Sequence, residues 1–283
     1  MPKQFFRMIA VEVLKVFTRG SGLGALVVAL LVGALAALAM NGLMQVQEGV
    51  QLNGQGLGGL VQFDVVGVAA KALSARNFFV LPLLLFLATG ASMAGEHADR
   101  TLRELVVRPV PRWSILAAKF AALASLSAAT LLVTFVTSVA LGWPLVGPPQ
   151  IDQSVAEGAE SLTRVSLGFA ASFVSDLCLL ALGLALSTFV RSVGGVVVSL
   201  VLVLLADRAI WMGLNGVGLA QRMMTGAPEP WVDEALKWTL VGAQACWEGW
   251  ETSFEPGQFV AVTAYTVLAC LVATLRFGRS DVP

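Results

Sequence analysis

Six apolar runs, each near the length a helix needs to cross a bilayer, constrain this chain more than any other feature. They cover residues 23–44, 78–94, 115–141, 167–190, 193–214 and 259–275. A hydrocarbon core about 30 Å thick takes roughly 20 residues at a helical rise of about 1.5 Å. Inside it, backbone amides must be bonded within their own segment, so runs of this length read as helices. With 57% of residues hydrophobic and 13% charged, and a mean hydropathy of +0.81, the fold class is an all-α membrane protein. The sequence predicts six transmembrane helices, an N-terminal amphipathic elbow helix and short outer helices before the last span. It divides into a cytoplasmic elbow helix over 1–22 and a transmembrane domain over 23–283, with an inner loop at 95–114 and an outer loop at 215–257.

Charge sets the orientation. An N-terminus in the cytoplasm puts Lys3, Arg7, Lys15, Arg19, Arg100, Arg103, Arg108, Arg112, Lys119, Arg191, Arg276 and Arg279 inside, twelve of the 18 Lys and Arg. Lys71, Arg76, Arg164, Arg208, Arg222 and Lys237 fall on the outer side with most carboxylates. The expected topology is multi-pass in a cell inner membrane, both termini cytoplasmic. The tryptophans fit as interface anchors: Trp113 inside, Trp143 and Trp211 towards the outside, and Trp231, Trp238, Trp247 and Trp250 in the last outer loop. Formal net charge is zero, so nothing points to nucleic acid as a partner. Ala37-Leu38-Ala39 resembles a signal-cleavage site. The apolar run before it begins too late and runs too long for a signal peptide, so it is read as the first span.

In the first 20 residues Phe6, Ile9, Val13, Val16 and Phe17 recur at helical spacing between Lys3, Arg7, Glu12, Lys15 and Arg19. This pattern predicts a helix along the inner surface, with Arg7, Lys15 and Arg19 on a basic face open to a partner. On the outer side, Gly54, Gly56 and Gly59 spell G-x-G-x-x-G, but they open no βαβ unit and read as a turn. Pro230 followed by Asp233 and Glu234 marks a helix start in the last outer loop.

Within the spans, small residues at four-residue spacing, such as Gly183 with Ser187, let helices approach. Ser127, Thr130, Thr134 and Thr137 put hydroxyls on one face of the third span, as packing glue or as substrate contacts. Asp176 reads as the one plainly intramembrane carboxylate and requires a partner or a wet cavity. It is the candidate pathway residue, with a shallow, solvated acid as the plainer reading.

Catalysis finds no support. One histidine, His97, excludes an H-E-x-x-H zinc site, and neither a G-x-S-x-G elbow nor a G-x-x-x-x-G-K-[ST] phosphate loop occurs. Three cysteines imply no disulfide framework, with Cys178 and Cys270 in apolar runs and Cys246 in a polar region. The expectation is a protein without its own ATPase site, with no cofactor or metal in this chain.

The inner loop is the most charged short stretch, carrying Glu96, Asp99, Arg100, Arg103, Glu104, Arg108 and Arg112. Glu96 with Arg100, and Arg100 with Glu104, stand four apart, so a helix would ladder opposite charges until Arg108-Pro109 stops it. Glu96, Thr101, Leu102, Leu105, Pro109, Val110, Arg112 and Lys119 resemble the E-x(n)-T-L-x-x-L-x(n)-P-V-x-R-x(n)-K pattern of ABC type-2 permeases. Arg100 stands where members often carry Gly, and Pro111 where they often carry Ser.

The resemblance implies an exporter permease powered by a separate cytoplasmic ABC ATPase dimer, with ATP and Mg on that partner. It also implies a second permease copy, identical or related, in a lipid membrane. Glu96, Arg100, Thr101, Leu102, Leu105, Arg108, Pro109 and Arg112 are then the ATPase-coupling residues. Two other readings stay open: an ATP-independent secondary carrier, or a membrane scaffold recruiting a cytoplasmic partner.

Overall fold

The computed structural model describes residues 2–52, 64–98, 111–148, 155–225, 230–250 and 255–279, and among these every element is helical. Helix α1 (Pro2–Thr18) precedes α2 (Gly20–Leu52). Helix α3 (Val65–Ala75) runs through a π-helical turn (Arg76–Val80) into α4 (Leu81–Ala98). Then come α5 (Arg112–Val146), α6 (Val155–Ser187), α7 (Val193–Thr225), the short α8 (Pro230–Trp238) and α9 (Leu240–Gln244), a 3-10 segment (Ala245–Trp250) and α10 (Pro256–Arg279). Among the described residues, five helices are long and apolar enough to span a bilayer: α2, α5, α6, α7 and α10. The α3–α4 pair makes a sixth if its two halves, bent by 49°, are one span.

That broken span is the main departure from the expected layout, in which residues 46–76 form an outer connection. Helix α3 is instead core: Val65, Val68, Ala69, Ala72 and Leu73 are fully buried against α2, α5 and α6. Asp64 starts it as a buried N-cap, accepting a 2.8 Å hydrogen bond from the Gly67 amide. The break follows from Pro82, which has no N–H to offer the carbonyl four residues back, at Phe78. A wider π turn takes up the lost register.

The core runs between α4, α5 and α6, where Leu85, Phe86, Leu123, Leu126 and Leu180 are all at most 1% exposed. Close approach needs small residues. A Cβ on Gly183 of α6 would lie 2.8 Å from the Thr89 Cβ of α4, and one on Gly33 of α2 would lie 2.9 Å from the Thr134 carbonyl of α5. Helix α7 is the least covered span, with 11% of its most apolar window buried, against 67% for α6.

The outer helices before the last span form as expected from Pro230, but they dock on the bundle. Leu240, Ala243 and Cys246 are buried with Ala171, Cys178, Ala261 and Val262 of α6 and α10. Trp247, partly buried, packs against the same region, so it is not a free interface anchor. Trp113, Trp143, Trp231 and Trp238 remain about half exposed. Cys246 is likewise not in polar surroundings, and burial pushes its thiol up to about 12.

Candidate coupling platform and buried polar sites

At the α1 end of the bundle, five charged side chains, four from three helices and Arg19 from the junction of α1 and α2, close on one another. Lys119 of α5 is fully buried and reaches Glu96 of α4 at 2.7 Å, Glu12 of α1 at 3.2 Å and the Ser92 carbonyl at 2.8 Å. Glu96, 2% exposed, also meets Lys15 of α1 at 3.0 Å and Arg19, just before α2, at 4.0 Å. Lys15 bridges back to Glu12 at 3.3 Å, and Arg19 donates to the Ala91 carbonyl at 2.7 Å.

The clasp follows from local placement. Glu12 and Lys15 are three apart on a helix and share a face. Val13, Val16 and Phe17 pack that side of α1 against the bundle, while Phe6, Val11 and Leu14 are left exposed. Two carboxylates and three cations then satisfy one another where a lone buried charge would be prohibitive. Burial draws the Lys15 ammonium down, but its bonds to Glu96 and Glu12 outweigh this and hold it above its ordinary value.

Two sequence readings change here. Lys15 and Arg19 are turned into the protein, half-buried and paired, so of the three residues expected on the open basic face of α1 Arg7 alone is exposed. Glu96 is an internal clasp residue, not a surface charge, because Lys119 and Lys15 take its carboxylate. Its proposed partner Arg100, with Thr101, Leu102, Leu105, Arg108 and Pro109, lies outside the described residues, as do Gly54, Gly56 and Gly59.

Arg112, one residue into the next described segment, opens the first turn of α5. Its Nη1 donates to the carbonyls of Phe277 and Gly278, each at 3.2 Å, at the end of α10. Those carbonyls have no intrahelical partner in a last turn and carry the negative end of the helix dipole, so a guanidinium suits them. Both residues flanking 99–110 are therefore tied to other elements: Glu96 to α1 and α5, Arg112 to α10.

Deeper in the bundle, Asp176 has the partner that its position demands. Arg76, 2% exposed and in the π turn, contacts it at 2.8 Å, and Ser127 donates to the same carboxylate oxygen. Arg76 also reaches Thr130 at 3.2 Å and Asn77 at 2.8 Å, and Asn77 donates to Ser172 at 2.7 Å. The hydroxyl face of the third span thus serves packing. Ser127 and Thr130 complete the ionic site, and Thr134 reaches the Ala29 carbonyl of α2 at 3.3 Å. Arg76 was expected in the outer connection and is instead buried within the bundle.

Asp176 is also not alone. Asp207 lies within α7, and its two oxygens accept the Leu240 and Val241 amides at 2.9 and 2.7 Å, capping α9. Tyr265 of α10 holds the preceding turn through the Trp238 carbonyl at 2.6 Å. The sequence signal was available, since Asp207 and Arg208 interrupt an otherwise apolar run. What it did not carry was the partner, 33 residues away.

The profile of a family described as ABC-2 family transporter protein matches residues 8–206, from α1 to the residue before Asp207. A comparison with curated proteins finds no match.

Proposed function

Because the chain belongs to the ABC-2 family of transporter proteins, we propose that it is the permease subunit of an exporter driven by a separate cytoplasmic ATPase dimer. It works in a cell inner membrane with both termini inside, paired with a second permease copy, and ATP and Mg are bound by the partner. The observation that carries this reading is the anchoring of both flanks of residues 99–110. A push on that segment passes through Glu96 to α1 and α5, and through Arg112 to α10. Arg100, Thr101, Leu102, Leu105, Arg108 and Pro109 are the proposed contact residues for the ATPase, and Glu96 and Arg112 transmit the push rather than receive it.

The chemistry suits a coupling role. Charged hydrogen bonds are directional and short, so α1, α4 and α5 move as one body at the inner surface while their apolar faces stay against lipid. The test is co-expression with a candidate ABC ATPase from the same genome, followed by purification and reconstitution. The complex should form, and Arg112→Ala should lower substrate-stimulated ATP hydrolysis by about tenfold or more, since one hydrogen bond to a charged group is worth roughly 1.5–3 kcal/mol. No co-purifying ATPase, or normal stimulation in the variant, refutes the assignment.

A further inference from the structure

Helix α7 carries a feature that neither packing nor coupling uses. Arg208 is exposed, and it lies 15 residues beyond Val193, about 22 Å along the helix and so within a hydrocarbon core of about 30 Å. Among the described residues no carboxylate forms an ion pair with it, because both oxygens of neighbouring Asp207 are taken by α9. Its guanidinium lies 4.6 Å from the centre of the Trp211 ring. Asn215 and Arg222 follow at seven and fourteen residues, which puts Arg208, Trp211, Asn215 and Arg222 on one stripe.

The other exposed faces look different. Leu30, Leu31 and Leu35 on α2, and Val267, Leu268 and Leu271 on α10, are the apolar surface that lipid chains wet without cost. An exposed arginine at bilayer depth is expensive there, and such residues face a wet pathway or a bound group. Leu205 and Met212, one turn to either side of Arg208, are about 60% exposed, so the cation stands in an apolar strip. A ligand that fits has a negative head for Arg208, with Trp211 beside it, and an apolar chain for Leu205 and Met212.

We propose that the outer half of α7 is a wall of the translocation pathway that receives the anionic head of an amphipathic substrate, with Arg208 as the head-binding residue. This rests on the transport reading above and adds a substrate class to it. Arg222, at the outer end of the same stripe, takes the head on release.

Full-length protein in zwitterionic nanodiscs, without any ATPase, tests this by fluorescence anisotropy with two probes, dansyl-labelled dodecyl phosphate and dansyl-labelled dodecanol. The phosphate should bind at least about tenfold more tightly than the alcohol, the margin expected of one charge-assisted contact. Arg208→Gln should remove that margin, Arg208→Lys should keep most of it, and Leu30→Ala on α2 should leave both probes unchanged. Arg222→Gln should weaken the phosphate by a smaller factor, and it decides the matter if Arg208→Gln fails to fold. Equal binding of the two probes, or an undiminished margin in Arg208→Gln, overturns the proposal. Since no ATPase takes part, failure of the coupling reading leaves this result interpretable, and failure here leaves coupling untouched.

Discussion

Removing both members of the Arg76–Asp176 pair should cost less than the sum of the two single losses, and those single losses should differ. Arg76 and Asp176 are 2% and 4% exposed as side chains and 2.8 Å apart. Losing one partner of a buried pair costs roughly 3–5 kcal/mol, because the survivor keeps its charge without compensation. A carboxyl group stripped of its cation escapes by taking up a proton and donating to a neighbour, whereas a guanidinium cannot lose its proton. Asp176→Asn, which strands Arg76, should therefore fall near the top of that range. Arg76→Leu leaves Asp176 with Ser127 and should fall near the bottom. The double variant should recover about 2 kcal/mol or more relative to the sum of the singles, the size of coupling that contacting residues show. Unfolding equilibria measured by steric trapping in bicelles resolve this, since about 1.4 kcal/mol is a tenfold change. Additive single effects, or an Arg76→Leu loss exceeding that of Asp176→Asn, would refute the reasoning.

The inner clasp and the outer cap give two further outcomes. Lys15 binds its proton more tightly folded than its ordinary 10.5, so its contribution is complete below pH 10.5 and is lost as pH rises through the folded value above it. Limited proteolysis of α1 should accelerate in that alkaline window and stay slow near neutral pH; acceleration near neutral pH would show that the clasp does not hold the helix. Asp207→Ala removes two amide acceptors from α9 and should cost about 1–2 kcal/mol locally, as loss of a good helix cap does. Hydrogen exchange at Leu240 and Val241 should rise about tenfold with α6 unaffected; unchanged exchange would mean that the outer helices are held by packing alone.

What the sequence made legible was whatever depends on periodicity and length. Apolar runs define five of the spans, Pro230 with Asp233 starts α8, and an alternation of apolar and charged residues defines α1. It misled where a residue's meaning comes from a partner far along the chain. Val65 to Leu73 look like loop because Lys71 interrupts a short apolar stretch that Asp64 and Arg76 bracket, yet Arg76 has Asp176 a hundred residues on to neutralise it, so the segment can be core. Glu96 looks like a surface charge beside Asp99 and Arg100, and only Lys119 and Lys15 reveal that it faces inward. Asp64 was missed for a different reason. A single capping residue before a short helix is a weak local signal, and its value depends on the burial that α2, α5 and α6 provide.

The distribution of polar contacts also says where this bundle can bend. Helices α1, α4, α5 and α6 and the π turn are joined by ion pairs that are buried on at least one side, and rearranging them means stranding a charge. Helix α7 packs on α4 through apolar side chains such as Val196 and Leu200, while α10 meets α6 through Ala269 and Ala273, contacts that slide at little cost. Polar ties to these two helices include Arg112 to the end of α10, Asp207 and Tyr265 to the turn that carries α9, and a contact between Cys178 of α6 and Thr266 of α10. The Arg112 tie lies at one end of the bundle and the Asp207 and Tyr265 ties lie at the other. A motion that keeps the clasp intact and tilts α7 and α10 therefore moves Arg112 and the turn before α9 together, and it displaces Arg208 relative to α4, α5 and α6.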